Sequence, residues 1–252
     1  MPLLFRRDLA VPIPLRDGMR VLEIGTGNGE TAADVALWFR EAGQRAEIVG
    51  IDRDPCNREK FERTATSAGV GAMTRFVVAN AHCLPPLGFF DMVLCVGCFS
   101  QIVFVDVPEL SVAPTNAPQA SQSLELVQSV CGRLLDHWRA SLAPAGTIVI
   151  FDFERDASDD AHARGLALFE DTKWPLVGLS LLRVALANAG FDDIHARTKP
   201  ILTCAGREEA LRSLGPEPKK PAMPALPRSW APASRQGTHA LSVFVAQARR
   251  HR

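Results

Sequence analysis

Short runs of apolar residues, many of them β-branched, alternate along the chain with longer stretches in which apolar residues recur every three or four positions. The short runs predict strands and the longer stretches predict amphipathic helices, because side chains repeat about every 2 residues along a strand and about every 3.6 along a helix. Strands that alternate with helices in this way are typical of βαβ units and a mainly parallel sheet. The predicted strands are 20–24, 46–51, 74–79, 91–96, 147–151, 194–198 and 241–246.

Four helices are predicted between these strands. In the longest of them, apolar residues recur at steps of three and four positions, which places them in one stripe along the helix. That stripe consists of Leu124, Val127, Cys131, Leu134 and Trp138. The other helices are predicted at about 30–42, at 56–68 and at 179–189, and Pro144 and Gly146 separate the longest helix from the next strand.

Composition restricts the functions that such a fold could serve. The chain has 252 residues, of which 47% are hydrophobic, enough for one large α/β domain with its own core. The 28 basic residues balance the 28 acidic ones, so a broad basic face that would bind nucleic acid is not expected. The longest uncharged apolar stretch, between Asp91 and Asp106, is shorter than the roughly 20 residues of a membrane span, and no apolar signal segment occurs in the first 20 residues.

The 6 cysteines are too few in a chain of this length for a disulfide framework, which predicts a reducing, cytoplasmic environment. Cys95 and Cys98 form a Cys-x-x-Cys at the end of a strand that is predicted to be buried. We interpret this pair as packing residues rather than as a zinc or redox site, because no second pair of Cys or His residues stands nearby in the sequence. No metal is expected.

The residues that suggest a chemistry follow the first predicted strand. Gly25, Gly27 and Gly29 alternate there, and a helix is predicted directly after them. Alternate glycines either form a tight turn alone or let a ligand lie against the backbone beside the helix N-terminus. Their spacing differs from the Gly-x-Gly-x-x-Gly of dinucleotide-binding proteins. Carboxylates at Glu23 and Glu30 would also repel a pyrophosphate, and they favour a ligand that carries an ammonium or sulfonium group.

The run from Glu23 to Gly29 resembles motif I of the class I S-adenosylmethionine (SAM)-dependent methyltransferases, acidic-x-Gly-x-Gly-x-Gly. Asp52, at the end of the second strand, stands where this family binds the ribose hydroxyls; the alternative role for it is a helix cap before Pro55. The resemblance implies an α/β fold with a doubly wound, mainly parallel seven-stranded sheet of Rossmann-like type. The strand order that it implies is 3-2-1-4-5-7-6.

Later parts of the chain continue the resemblance in the same order. The turn after the third strand is similar to the family's adenine-binding turn, with Asn80 in place of the usual Asp. Residues 90–94, 142–147 and 189–191 resemble the fourth strand, the turn before the fifth and the turn into the sixth. The positions that the resemblance assigns to the cofactor are Glu23, Gly25, Thr26, Gly27, Gly29, Asp52, Arg53, Asn80, Ala81, His82 and Cys95.

The resemblance implies transfer of a methyl group from SAM to an O, N, C or S atom of a small molecule, with S-adenosylhomocysteine as product. A carboxylate at the end of a strand would accept the proton. The first candidates are Asp152 and Glu154, at the end of the fifth strand, and the next are Asp106 and Glu109, beyond the fourth strand. Two alternatives remain open. The chain could use SAM for another chemistry such as cyclisation, or it could bind SAM as a regulatory or scaffold protein without turnover.

The protein is expected to be a monomer or a homodimer. Segments outside the alternation of strands and helices are expected to enclose its substrate. They are 1–19, 99–119, 153–175 and the proline-rich 206–236, of which the last is alternatively a passive surface loop. Apolar residues in two of these segments predict an apolar or aromatic substrate. Those residues are Ile102, Val103, Phe104, Leu110, Leu211, Leu214 and Trp230.

Overall fold

The structure, a computed structural model, describes residues 15–105, 117–153, 177–206 and 236–250. The strands are β1 (Met19–Ile24), β2 (Ala46–Asp52), β3 (Thr74–Val78), β4 (Phe90–Val96), β5 (Leu142–Phe153), β6 (Phe191–Gly206) and β7 (Gln236–Arg250). The helices are α1 (Glu30–Glu41), α2 (Asn57–Ser67), α3 (Phe99–Val105), α4 (Ala117–Ala140) and α5 (Leu179–Asn188), together with a 3-10 turn at Gly71–Met73. None of these helices has the length and hydropathy needed to cross a membrane.

All seven strands belong to one sheet, in the order β3-β2-β1-β4-β5-β7-β6. β1 pairs in parallel with β2 and β4, β2 with β3, and β4 with β5, whereas β7 runs antiparallel to both β5 and β6. The predicted strand order and the mainly parallel sheet are therefore confirmed. The carboxyl ends of β1, β2, β3, β4 and β5 meet at one edge, and the loops that follow these strands converge there.

Successive residues of each central strand pack against helices on opposite faces of the sheet. Leu22 and Ile24 belong to the cluster that contains α4 and α5, whereas Val21 belongs to the cluster that contains α1 and α2. Val127, Cys131, Leu134 and Trp138 of the stripe predicted on α4 are buried, and Cys131 and Trp138 have no exposed surface. Apolar residues thus pack against both faces of the sheet and stabilise the strands from which the converging loops extend.

The observed elements differ from the predicted ones in three places. β5 begins five residues earlier than expected, because a bulge at Ala145 (φ 62°) lets Leu142 pair with Phe90 before the regular register starts at Thr147. β6 and β7 extend well beyond the predicted 194–198 and 241–246, as a long antiparallel pair. Helix α3 was not predicted, and it lies in a stretch expected to cover the substrate.

Candidate functional site

The loop that joins β1 to α1 contains the three alternating glycines. Gly25, Gly27 and Gly29 have φ values of 72°, 53° and 80°, which side chains with a Cβ rarely adopt. The N–H groups of Gly25 and Thr26 both donate to the carbonyl oxygen of Ile51 at 2.9 Å, which ties the loop to the end of β2. We call residues 25–29 the glycine loop.

Space around the glycine loop is filled at its ends and open in its middle. A Cβ built on Gly25 would collide with the sulfur of Cys98, and one built on Gly29 would lie 2.5 Å from the ring of Phe61. A Cβ on Gly27 would meet no atom within 4 Å. Cys98 and Phe61 therefore pack against the two ends of the loop, while the backbone at Gly27 is free to contact a ligand.

Asp52 lies at the end of β2, against this open part of the loop. Its Oδ2 accepts a hydrogen bond from the N–H of Gly27 at 2.9 Å, and its Oδ1 accepts one from the N–H of Asp54 at 2.9 Å. A carboxylate oxygen can accept about two hydrogen bonds, so each oxygen keeps capacity for one more donor. A pair of neighbouring hydroxyl groups, as in a ribose, matches that capacity.

The alternative role for Asp52, as the cap of the following helix, is not what the structure shows. Oδ1 of Asp54 accepts from the N–H of Cys56 at 2.9 Å in the turn before α2, and the cap residue of α2, Cys56, makes no side-chain capping bond. The side chain of Arg53, between the two aspartates, is exposed. Asp52 is thus left to hold the glycine loop and to face the cleft edge.

Glu23 is buried, with only 2% of its surface exposed. Its Oε2 accepts the hydroxyl proton of Thr26, and hydrogen bonds from Thr31 and the backbone of Ala32 also stabilise its ionised form. Burial outweighs these bonds, and with a contribution from the negative charge of Asp52 it raises the pKa of Glu23 from 4.5 to about 7. The carboxyl group therefore holds the loop from inside, and a direct contact between Glu23 and the cofactor stays a prediction.

The turn after β3, residues 80–84, contains the predicted adenine-contacting residues. Asn80 is exposed, and its Oδ1 accepts from the N–H of His82 at 3.0 Å, while its carbonyl oxygen accepts from the N–H of Cys83. One lone pair of Oδ1 remains for another donor, such as an exocyclic amine. Nε2 of His82 lies 2.9 Å from the carbonyl oxygen of Ile102, so this ring is fixed against α3.

Two side chains of α4 hold the same turn from the other side. Nε1 of Trp138 donates to the carbonyl oxygen of Ala81 at 2.9 Å, and Nε2 of His137 accepts from the N–H of Leu84 at 2.7 Å. A histidine nitrogen that accepts a hydrogen bond carries no proton, which fixes the tautomer of His137. These anchors were not identified as part of the site from the sequence, since α4 follows the turn by more than thirty residues.

The structure describes one of the four predicted base candidates, Asp152. Asp152 is 1% exposed, and its Oδ2 accepts from the N–H of Ser100 at 2.7 Å, at the start of α3. The hydroxyl oxygen of Ser100 in turn accepts from the N–H of Val177 at 2.9 Å. Asp152 therefore holds the start of α3 against the end of β5, and its use as a base stays a prediction. Glu154 and the second-choice candidates, Asp106 and Glu109, lie outside the described residues.

Cys95 and Cys98 lie under the glycine loop. Cys95 has no exposed surface, its sulfur is 3.6 Å from that of Cys98, and Cys98 donates to the carbonyl oxygen of Ile24 at 3.4 Å. Burial, followed by the contact with Cys98, raises the pKa of the Cys95 thiol well above its usual value. A direct contact of Cys95 with the cofactor stays a prediction. Within the described ranges, no three His, Cys, Asp or Glu side chains are grouped so as to hold a metal ion.

Comparison with known families identifies the family to which the chain belongs. Residues 4–196 match the profile of a family described as "Methyltransferase domain". The chain belongs to this methyltransferase family, and its fold is the Rossmann-like fold of class I SAM-dependent methyltransferases. No curated protein matches the sequence significantly.

Solved structures share this fold at low sequence identity. The YcgJ protein from Bacillus subtilis aligns with a TM-score of 0.61 and 16% identity, over 95% of this chain and 94% of that one. A SAM-dependent methyltransferase from Methanosarcina mazei aligns with a TM-score of 0.58 and 15% identity, over 96% and 98%. The [4+2]-cyclase SpnF aligns with a TM-score of 0.54 and 18% identity, over 94% and 76%. At these identities the alignments concern the fold alone.

Proposed function

We propose that the chain binds SAM in the glycine loop and transfers its methyl group to an O, N, C or S atom of a small molecule. The observation that carries this proposal is the pairing of two features at one edge of the sheet. The backbone of Gly27 is open, and beside it the carboxylate of Asp52 keeps acceptor capacity on both oxygens. That combination suits a nucleoside whose ribose presents two adjacent hydroxyl groups.

The described residues divide the cleft between the parts of the cofactor. Asp52 would accept from the ribose hydroxyls, and the turn at Asn80 and His82 would contact the adenine. The exposed carboxylate of Glu30, at the N-terminus of α1, would repel a pyrophosphate there and so disfavour a dinucleotide. SAM supplies an electrophilic methyl group, and the protein's task is to hold an acceptor atom in line with it at about 3 Å.

A pair of glycine variants tests the cofactor site. Gly27→Val places a β-branched side chain in the open space of the loop, and Gly43→Val is its control, since Gly43 also has positive φ (67°) and no atom within 4 Å of a Cβ. Both variants carry the same backbone strain, about 1–3 kcal/mol. Calorimetry is expected to show SAM binding lost in Gly27→Val and retained in Gly43→Val. Equal affinities in the two variants would overturn the assignment.

Turnover is tested with SAM that carries an isotopic label on the methyl group. Incubation with a metabolite extract is expected to yield a labelled product together with an equal amount of S-adenosylhomocysteine. The fold similarity to SpnF makes cyclisation the second candidate. A cyclisation would give an isomerised metabolite without label and without S-adenosylhomocysteine. SAM binding with no product of either kind would favour a regulatory or scaffold role.

Few of the described residues bear on the chemical class of the methyl acceptor. Of the apolar residues from which an apolar or aromatic substrate was predicted, Val103 and Phe104 are buried in the core against α4, so their apolar character serves packing. Ile102 is half-buried. The other four lie outside the described residues, as do 1–14, 106–116, 154–175 and 207–235 of the expected substrate-side segments. An apolar or aromatic acceptor stays a prediction from the sequence.

A further inference from the structure

We propose that Cys95 and Cys98 form a reversible disulfide beneath the glycine loop, and that its formation weakens SAM binding. The second half of this proposal rests on the proposed function, whereas the first half stands on the geometry of the two thiols alone. Their sulfur atoms are 3.6 Å apart, which is van der Waals contact, and a disulfide bond is about 2.05 Å long. Closing the bond therefore requires an approach of about 1.5 Å.

The surroundings of the two cysteines decide which sulfur moves. Cys95 belongs to a central strand and is enclosed by the core, whereas Cys98 is partly buried and lies between β4 and α3. The backbone directly before Cys98 is held, because the N–H of Gly97 donates to the carbonyl oxygen of Phe151 at 2.8 Å, so the movement falls to the side chain of Cys98. The bond is expected to form mainly by movement of the Cys98 sulfur toward Cys95.

That movement would withdraw a support from the glycine loop. The Cys98 sulfur fills the space beside Gly25 and donates its proton to the carbonyl oxygen of Ile24, the last residue of β1. In the disulfide the sulfur has no proton to donate, and it no longer packs beside Gly25. The backbone that leads into the SAM-binding turn would lose one hydrogen bond and one packing contact on the side opposite to the ligand.

The oxidant would be a low-molecular-weight disulfide such as oxidised glutathione. The Cys98 thiolate attacks one of its sulfur atoms, which forms a mixed disulfide and releases one glutathione thiolate. The Cys95 thiolate then attacks the Cys98 sulfur, the mixed disulfide breaks, and a second glutathione thiolate leaves. The two cysteine protons are taken up by the two released thiolates, so the protein loses two electrons and the glutathione disulfide gains them. Cys98 reacts first because Cys95 is enclosed and burial raises its pKa.

The experiment measures the disulfide and the affinity on the same samples. The protein is equilibrated in glutathione redox buffers, free thiols are alkylated, and peptides are analysed by mass spectrometry. In oxidised protein Cys95 and Cys98 are expected to be unalkylated. The peptide that contains them should be lighter by about 2 Da, the mass of two hydrogens, than the same peptide with both thiols free. Calorimetry on the folded, oxidised protein is expected to show SAM bound about fivefold more weakly than by the reduced protein, with affinity restored by dithiothreitol.

Three variants separate this reaction from other thiol chemistry. Cys98→Ser and Cys95→Ala should each abolish the redox response of SAM binding, whereas Cys56→Ser, which removes an exposed cysteine away from the loop, should keep it. Absence of the 95–98 disulfide in oxidised wild-type protein would overturn the site. A disulfide that leaves SAM affinity unchanged would overturn the regulation. If reduced wild-type protein fails to bind SAM, the proposed function is contradicted, and the mass measurement still decides whether the disulfide forms.

Discussion

Replacing Glu23 by glutamine is expected to change how the stability of the fold depends on pH. Burial raises the pKa of Glu23 to about 7 in the folded protein, against 4.5 in the unfolded chain, so between these values the folded state binds more protons than the unfolded state. The free energy of unfolding of wild-type protein therefore falls as pH rises through this window. A shift of this size corresponds to up to about 3 kcal/mol between pH 4 and pH 8. The glutamine side chain keeps an oxygen that can accept from Thr26, but it has no proton to lose in this range.

The assay is urea unfolding of both proteins at several pH values, from which the difference in unfolding free energy is taken. Relative to wild type, Glu23→Gln should gain stability as pH rises from 4 to 8, and other titrating groups cancel in the difference. Glu47→Gln is the control of opposite sign, because the hydrogen bond from Arg20 lowers the pKa of Glu47. The unfolding free energy of wild type relative to this variant should therefore decrease as pH falls. A difference for Glu23→Gln that does not vary with pH would refute the reasoning.

Four further substitutions probe the site and the residues that support it. Asp52→Ala should weaken SAM binding by about 1.5–3 kcal/mol in calorimetry, the range for hydrogen bonds to a charged group, while Asp54→Ala should lower only the melting temperature because the carboxylate of Asp54 accepts a hydrogen bond within the turn before α2. In Gly50→Ala the added methyl group would lie 2.6 Å from the ring of Phe61, which belongs to α2. Urea unfolding should therefore show the free energy of unfolding reduced by about 1–3 kcal/mol. Trp138→Phe leaves the carbonyl of Ala81 without its donor, which should cost about 1–3 kcal/mol of stability and also weaken SAM binding, so full retention of both would contradict the anchoring role.

The sequence was sufficient for the features that depend on local pattern. The alternation of strands and helices is local, and so are the positive φ angles that Gly25, Gly27 and Gly29 permit. Asp52 was found from the resemblance to the family, which binds the ribose at the end of the second strand, and the pairing of β1 with β2 places it beside the glycine loop. The order of the antiparallel β6 and β7 came from the resemblance to a family rather than from the residues themselves.

Features that depend on contacts between distant residues were not predictable in this way. Five of the seven residues 99–105 are apolar and show no helical period, and the segment forms α3 where the carboxylate of Asp152 accepts from the N–H of Ser100. The same carboxylate was predicted as a base from its place at the strand end, since the sequence does not reveal what surrounds it. The contacts of Trp138 and His137 with the turn after β3 join residues more than fifty positions apart.

Titration of the reduced wild-type protein with SAM, S-adenosylhomocysteine and NAD in a calorimeter tests the central claim most directly. The open backbone at Gly27, the acceptor capacity of Asp52 and the negative charge of Glu30 predict that SAM and S-adenosylhomocysteine compete for one site. They also predict no comparable affinity for NAD, whose pyrophosphate would face that charge. Binding of NAD in preference to SAM, or binding of neither sulfur nucleoside, would contradict the account.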